Sequence, residues 1–276
     1  MKKQNLMGLS LCGLIFLGGF LIKGELSLYF NIASLMIVAG GSATAALLSF
    51  QLERLKIVVR VVKASYTCSL KSEEEIVNIL IDLSIKSRME GILSLQKDEH
   101  ETSILFLRRG LGCLVDNYDP KQIRDILNTE MYFFKLRRED SERALRTIAD
   151  FCPAFGIVGS VAGLIPMLAG IDDTGIILKT VPLALTSILY GLIFANFFFI
   201  PFAANLRERT NQELLLQKII MEGIIAIESE LNPTVLRTKL LSFLTPSARK
   251  ADLVPLARIQ ERFHIQEDDR PGPTVS

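Results

Sequence analysis

The sequence predicts an all-α integral membrane protein with four transmembrane helices and a cytoplasmic helical domain. Three observations predict it. The 276 residues are 49% hydrophobic with a positive mean hydropathy, yet 22% are charged, which suits apolar spans joined to a sizeable aqueous part. Four uncharged runs, roughly 5–22, 28–50, 151–171 and 180–203, are long enough to cross about 30 Å of hydrocarbon. The charged remainder carries helix caps and helical apolar spacing.

The first run follows Lys2 and Lys3, as in a signal peptide. No small-residue cleavage site precedes a mature domain, and a second run follows after only "KGELS", so the first is expected to be a retained helix. Arg54, Lys56, Arg60 and Lys63 follow the second run, Arg143 and Arg146 precede the third, and Arg207 and Arg209 follow the fourth. The opposite loops, "KGELS" and "DDTGIILK", are short. By the positive-inside rule both termini and residues 51–150 are expected on the cytoplasmic side, the membrane being a bacterial inner membrane or an equivalent one.

The chain divides accordingly into 1–50 (two spans), 51–150 (a cytoplasmic helical loop), 151–206 (two spans) and 207–276 (a cytoplasmic helix and tail). Within the loop, Ser72 caps a helix whose first turn holds three acids, with Ile76, Ile79, Leu80 and Leu83 as its apolar stripe. A second helix starts at Asp119-Pro120 and runs towards the third span without a stop. The fourth span is expected to continue as a cytoplasmic helix that ends before the turn signal Asn232-Pro233. The tail "QEDDRPGPTVS" reads as disordered.

Several function classes are excluded or disfavoured. Net charge is +1, so no global field attracts nucleic acid. The four cysteines have no CxxC spacing, His100 and His264 are isolated, and neither a P-loop nor an HExxH helix occurs, so no metal, cofactor or enzyme activity is expected. "GSVAG" is not a nucleophile elbow, since its serine follows the first glycine directly inside an apolar run. None of the four runs contains Asp, Glu, Lys, Arg or His. Ion-translocating proteins carry an ionisable group at membrane depth, so the chain either moves no ions or borrows a carboxylate from a partner.

The third run, "CPAFGIVGSVAGLIPMLAG", is rich in small residues. Gly156, Gly159 and Gly163 recur at helical spacing, and Gly41–Ala45 and Gly191–Ala195 repeat the small-xxx-small pattern in the second and fourth runs. Small residues let membrane helices approach closely. Ser160, Thr186 and Ser187 have two readings: a bond back to their own helix carbonyls, or a hydroxyl surface facing water, an ion or a partner's carboxylate.

"CPAFGIVGSVAGLIPMLAGIDD" and "LALTSILYGLIFANFFFIPFAANLRER" resemble the third and fourth membrane helices of the MotA/PomA family, the A subunits of the flagellar motor stator. "KSRMEGILSL", "YDPKQIRDILNTEM" and "IIMEGIIAIESELNP…LLSFL" extend the resemblance over most of residues 70–246. It implies a ring of five A subunits around two B-subunit (MotB/PomB type) helices that bring the essential Asp. Ion flow past that Asp would turn the ring, and the cytoplasmic loop would push on a FliG-type rotor protein. Pro153 and Pro201 match the family's two coupling prolines, and Arg88 matches its rotor-facing arginine. The family's rotor-facing glutamate is replaced by Gln96, with Glu99 or Glu90 as substitutes; Glu99 shares the face of Arg88 if the helix continues. Pro166 and Pro182 fall outside the family pattern. Sodium-type members carry hydroxyls in both last spans. Here those positions are Ser160 and, aligned on Tyr190-Gly191, Ser187 and Ile188, with Thr186 nearby. Ile188 offers no oxygen, so proton coupling is expected. The rivals are a TolQ/ExbB-like energiser, which has one span before its loop, and a membrane scaffold that conducts nothing.

Overall fold

A computed structural model describes residues 11–16, 18–19, 29–67, 71–170 and 173–244. Among these there is no strand. The first apolar run is helical at 11–16 and 18–19, and its remainder lies outside the described residues, as do "KGELS" and the tail from 245. Among the described residues three helices are long and apolar enough to cross a membrane; the first of the four expected spans lies mostly outside those residues.

The first of them, α1 (Ile32–Ser49), is capped by Asn31, whose side chain accepts the Ser34 N–H. Its buried positions, Ser34, Val38, Ser42 and Ala46, recur every four residues and form one small-residue stripe. Extended backbone at Phe50 ends it, so α2 (Leu52–Thr67) is a separate helix. The second candidate span is part of α6 (Pro120–Ala169), one unbroken 50-residue helix roughly 75 Å long. Its start is half a capping box: the Asp119 N–H donates to Gln122 Oε1 at 3.1 Å. The third comprises α7 (Thr174–Ile193), a π-helical turn at Phe194–Phe199, and α8 (Ile200–Glu228). Pro201 explains the wide turn. A proline ring collides with the carbonyl four residues back, and the Ile200 N–H bonds instead to Ala195, five residues back.

The chain forms two compact units. One comprises Met1–Leu70 and Glu130–Leu214 and holds the apolar helices with α2. The other comprises Lys71–Thr129 and Leu215–Ser276. It contains α3 (Glu73–Glu90), a 3-10 turn at Ile92–Leu95, α4 (Gln96–Glu101), α5 (Leu105–Val115) and α9 (Pro233–Leu241). Ser72 caps α3 by accepting the Glu75 N–H, and Ile76, Val77, Leu80 and Leu83 face its core. Leu80 packs so closely on Gly223 that a Cβ there would lie 2.6 Å from its side chain.

Two helices in this unit end in the same way. Asn117 and Glu230 both adopt positive φ, at 58° and 51°. Tyr118 and Leu231 bond back to Cys113 and Ala226, while Asn117 and Glu230 bond to Leu114 and Ile227. Both are Schellman closures built without glycine.

Candidate functional site

The apolar helices meet along a seam of small residues and hydroxyls. On α6, Gly156, Gly159 and Gly163 face α7. A Cβ on Gly156 would lie 3.0 Å from the Ser187 carbonyl oxygen, on Gly159 2.6 Å from Ser187 Oγ, and on Gly163 2.9 Å from the Ala184 nitrogen. The closeness is mutual: a Cβ on Gly191 would lie 2.6 Å from the Cys152 carbonyl oxygen and 3.1 Å from Pro153 Cα. On α1, Gly41 receives the Phe155 ring. Ala45 is half-buried, while Ala195 is buried with Ala149 and Cys152.

The hydroxyls divide. Thr186 and Ser187 are buried inside this seam. Ser187 Oγ donates to the Leu183 carbonyl at 2.8 Å and Thr186 Oγ1 to the Pro182 carbonyl at 2.7 Å. Thr186 Oγ1 is also 2.7 Å from Ser34 Oγ, which lies 2.9 Å from the Leu183 oxygen. Thr186 and Ser187 thus bond to carbonyls of their own helix, and Ser34 joins α1 to α7. Pro182, outside the family pattern, supplies one of the acceptors. Ser160 is buried on α6. Ile188 is 38% exposed and continues an apolar stripe with Leu185 and Leu192. Tyr190 adds a clamp that sequence reasoning missed: its hydroxyl donates to the Tyr29 carbonyl at 2.6 Å and accepts the Asn31 N–H at 3.0 Å.

The prolines occupy different settings. Pro153 lies within α6 against Gly191 and leaves the Ala149 carbonyl without its helical donor. Pro201 is exposed directly after the π turn. Pro166 is exposed four residues before Gly170, whose N–H bonds to the Pro166 carbonyl at 3.1 Å.

In the other unit, the helix carrying Arg88 does not continue to Glu99. Gly91, at φ 85°, ends α3, and the chain turns into the 3-10 segment. A shared helical face for Arg88 and Glu99 is thereby corrected, because a left-handed residue cannot propagate an α-helix. Arg88 Nη2 donates to the Glu230 carbonyl, so it tethers the Schellman turn that closes α8. Glu90 and Gln96 are exposed, and Glu99 is half-buried, with its carboxylate 3.2 Å from where a Gly112 Cβ would be. Lys86 donates to Asp98 at 2.7 Å, and that hydrogen bond raises the lysine pKa.

A buried carboxylate that sequence reasoning did not single out organises this unit. Glu222 on α8 accepts from Arg124 at 3.0 Å and Lys239 at 2.7 Å, with Lys218 at 3.6 Å. Burial pushes its carboxyl up, but the lysine and arginine hydrogen bonds and charges outweigh that and hold it below the usual range.

Residues 98–218 match the model of the MotA/TolQ/ExbB proton channel family. The motility protein A of Borreliella burgdorferi is 31% identical over 224 residues, covering 81% of this chain and 86% of that protein. The chain belongs to this family, in its MotA/PomA branch. The chemotaxis protein PomA of Vibrio alginolyticus is 28% identical over 251 residues, covering 88% of this chain and 98% of that one. The flagellar MotAB stator complex from Bacillus subtilis superposes with a TM-score of 0.83 at 25% identity, over 90% of this chain and 98% of that chain. This MotA-type chain is a membrane-embedded flagellar motor stator subunit.

Proposed function

We propose that this stator subunit works on protons, with a B-type partner that supplies the membrane carboxylate. One observation carries the reading. The apolar helices close on a seam of glycines and hydroxyls, and their apolar stretches contain no Asp, Glu, Lys, Arg or His. Such a subunit cannot hold an ion at membrane depth by itself. Its outward stripe of Leu185, Ile188 and Leu192 is apolar and fits lipid or another helix. Ile188 offers no oxygen there, while Thr186 and Ser187 spend theirs on helix carbonyls, which supports a proton over a sodium ion that needs a full oxygen shell.

In this reading the chain has four spans in the bacterial inner membrane, with both termini and the 51–150 loop in the cytoplasm. Five copies surround two B helices. Pro153 and Pro201 give the spans their bending points, and the face near Arg88, Glu90, Gln96 and Glu99 meets a FliG-type rotor protein.

The test is to express the chain with and without a B-type partner in a stator-deleted, flagellated host. Swimming should require the partner, continue in sodium-free medium and stop with a protonophore. Swimming that rises from zero with added sodium would overturn the proton assignment. Ion leak through the chain alone would overturn the borrowed carboxylate.

A further inference from the structure

The helix α2 has two faces with different fates. Its inner face is occupied: Val58 packs with Ala144, Leu145, Ala203 and Leu206, Ser65 Oγ donates to Asn205 at 2.8 Å, and Tyr66 stacks edge-on against Phe202 at 5.9 Å. Arg54 pairs with Asp140 at 3.4 Å. The opposite face carries Lys56, Arg60 and Lys63, spaced four and three residues apart, which aligns them along one side of a helix. All three are exposed, and among the described residues none has a carboxylate within ion-pairing distance. Beside this basic stripe stand Leu52, Ile57 and Val59, each at least half exposed. Glu53 is the sole acid of the helix.

Position fixes what such a face can meet. α2 begins three residues after α1 ends, and it packs on the segment around Phe202, at the end of the apolar run of the fourth span. In the membrane orientation proposed above, a helix there lies at headgroup depth. Exposed apolar side chains and unpaired cations together are a poor fit to water and a poor fit to hydrocarbon. They match an anionic bilayer surface, where apolar groups enter the acyl boundary and the long basic side chains reach back to phosphates.

We propose that α2 is an interfacial anchor that binds anionic phospholipid headgroups of the cytoplasmic leaflet through Lys56, Arg60 and Lys63. This rests on the membrane orientation given above but not on the coupling ion. An anionic surface favours each nearby basic residue roughly fivefold, so removing three should weaken anionic-lipid retention on the order of 100-fold.

The experiment uses the full chain with its B-type partner, purified in mild detergent and titrated with phosphatidylglycerol or phosphatidylcholine, with bound lipid read by native mass spectrometry. The unaltered complex should retain phosphatidylglycerol in preference. The Lys56→Gln/Arg60→Gln/Lys63→Gln variant should lose that preference, and the charge-preserving Lys56→Arg/Arg60→Lys/Lys63→Arg variant should keep it. A photoactivatable residue at Val59, irradiated in native membranes, should attach to lipid. Undiminished preference in the glutamine variant would overturn the proposal, and so would a Val59 cross-link to a second copy or another protein. Should the glutamine variant fail to assemble, the charge-preserving variant and the Val59 probe decide. None of these readouts depends on proton flow, so a failure here leaves the functional reading untouched.

Discussion

Replacing Gly191 with alanine adds one methyl where none fits. The new Cβ would lie 2.6 Å from the Cys152 carbonyl oxygen and 3.1 Å from Pro153 Cα, both backbone atoms. A carbon and a carbonyl oxygen settle at about 3.3 Å or more, so α7 has to withdraw from α6 by about 0.7 Å. Side-chain rearrangement cannot relieve a clash between backbones. Overpacking of this kind costs about 1–3 kcal/mol, which lowers the melting temperature of the complex by about 5 °C. The matched control is Gly40→Ala on α1, where an added Cβ meets nothing within 4 Å. Melting of the purified complex and swarm diameter in soft agar are measured for both. Gly191→Ala should lower the melting temperature and shrink the swarm, while Gly40→Ala should leave both near the parent value. Equal behaviour of the two variants would refute the claim that this glycine sets the distance between the helices.

Tyr190→Phe removes a donor to Tyr29 and an acceptor for Asn31, and should cost about 1–2 kcal/mol in thermal unfolding of the complex. Glu222→Gln leaves Arg124, Lys218 and Lys239 facing one another. Because those cations are 40–42% exposed and can turn to water, the expected loss is about 2–3 kcal/mol rather than the full cost of an orphaned buried charge. Since the folded Glu222 carboxyl titrates below its unfolded value, its contribution is complete above the ordinary carboxylate pKa of about 4.3. It is lost as pH falls through the lower folded value; acid melts should show that loss in the parent and not in Glu222→Gln. Arg88→Gln removes the tether on the Glu230 carbonyl and should cost about 0.5–1.5 kcal/mol. An unchanged melt would leave charge as the residue's sole contribution.

Much of this architecture is legible in sequence because its signals are local. Ser72 with three following acids and Asp119-Pro120 each mark a helix start through chemistry within one turn, and each helix starts there, while Asn232-Pro233, expected only as the turn after α8, also opens α9. The third and fourth apolar runs announce their contact through glycines at helical spacing. What escaped reading depends on partners far along the chain. The Ser34–Thr186 bond joins residues 152 apart, and the Tyr190 clamp reaches Tyr29 across 161 positions. Glu222 stands in a run of apolar residues, yet its three cations come from two other helices as well as its own. The break at Gly91 carries its own local signal, since a glycine within a helical pattern can stop a helix.

The wide turn at Phe194–Phe199 has a consequence for how this family can change length. In an α-helix, loss of one residue swings everything beyond it by about 100°. Upstream, such a loss between Leu183 and Gly191 would carry half of the glycine seam away from its mates on α6. Inside the wide turn the ledger differs, because the helix there already holds a residue more than α-winding requires. A single deletion there can be absorbed by tightening the turn, provided the residue at Pro201 changes as well, since an α-wound turn would bring its ring back against the carbonyl four residues before it. The fourth span therefore contains one place where natural insertions and deletions are tolerable, and homologues of unequal length should differ at this turn rather than along the seam.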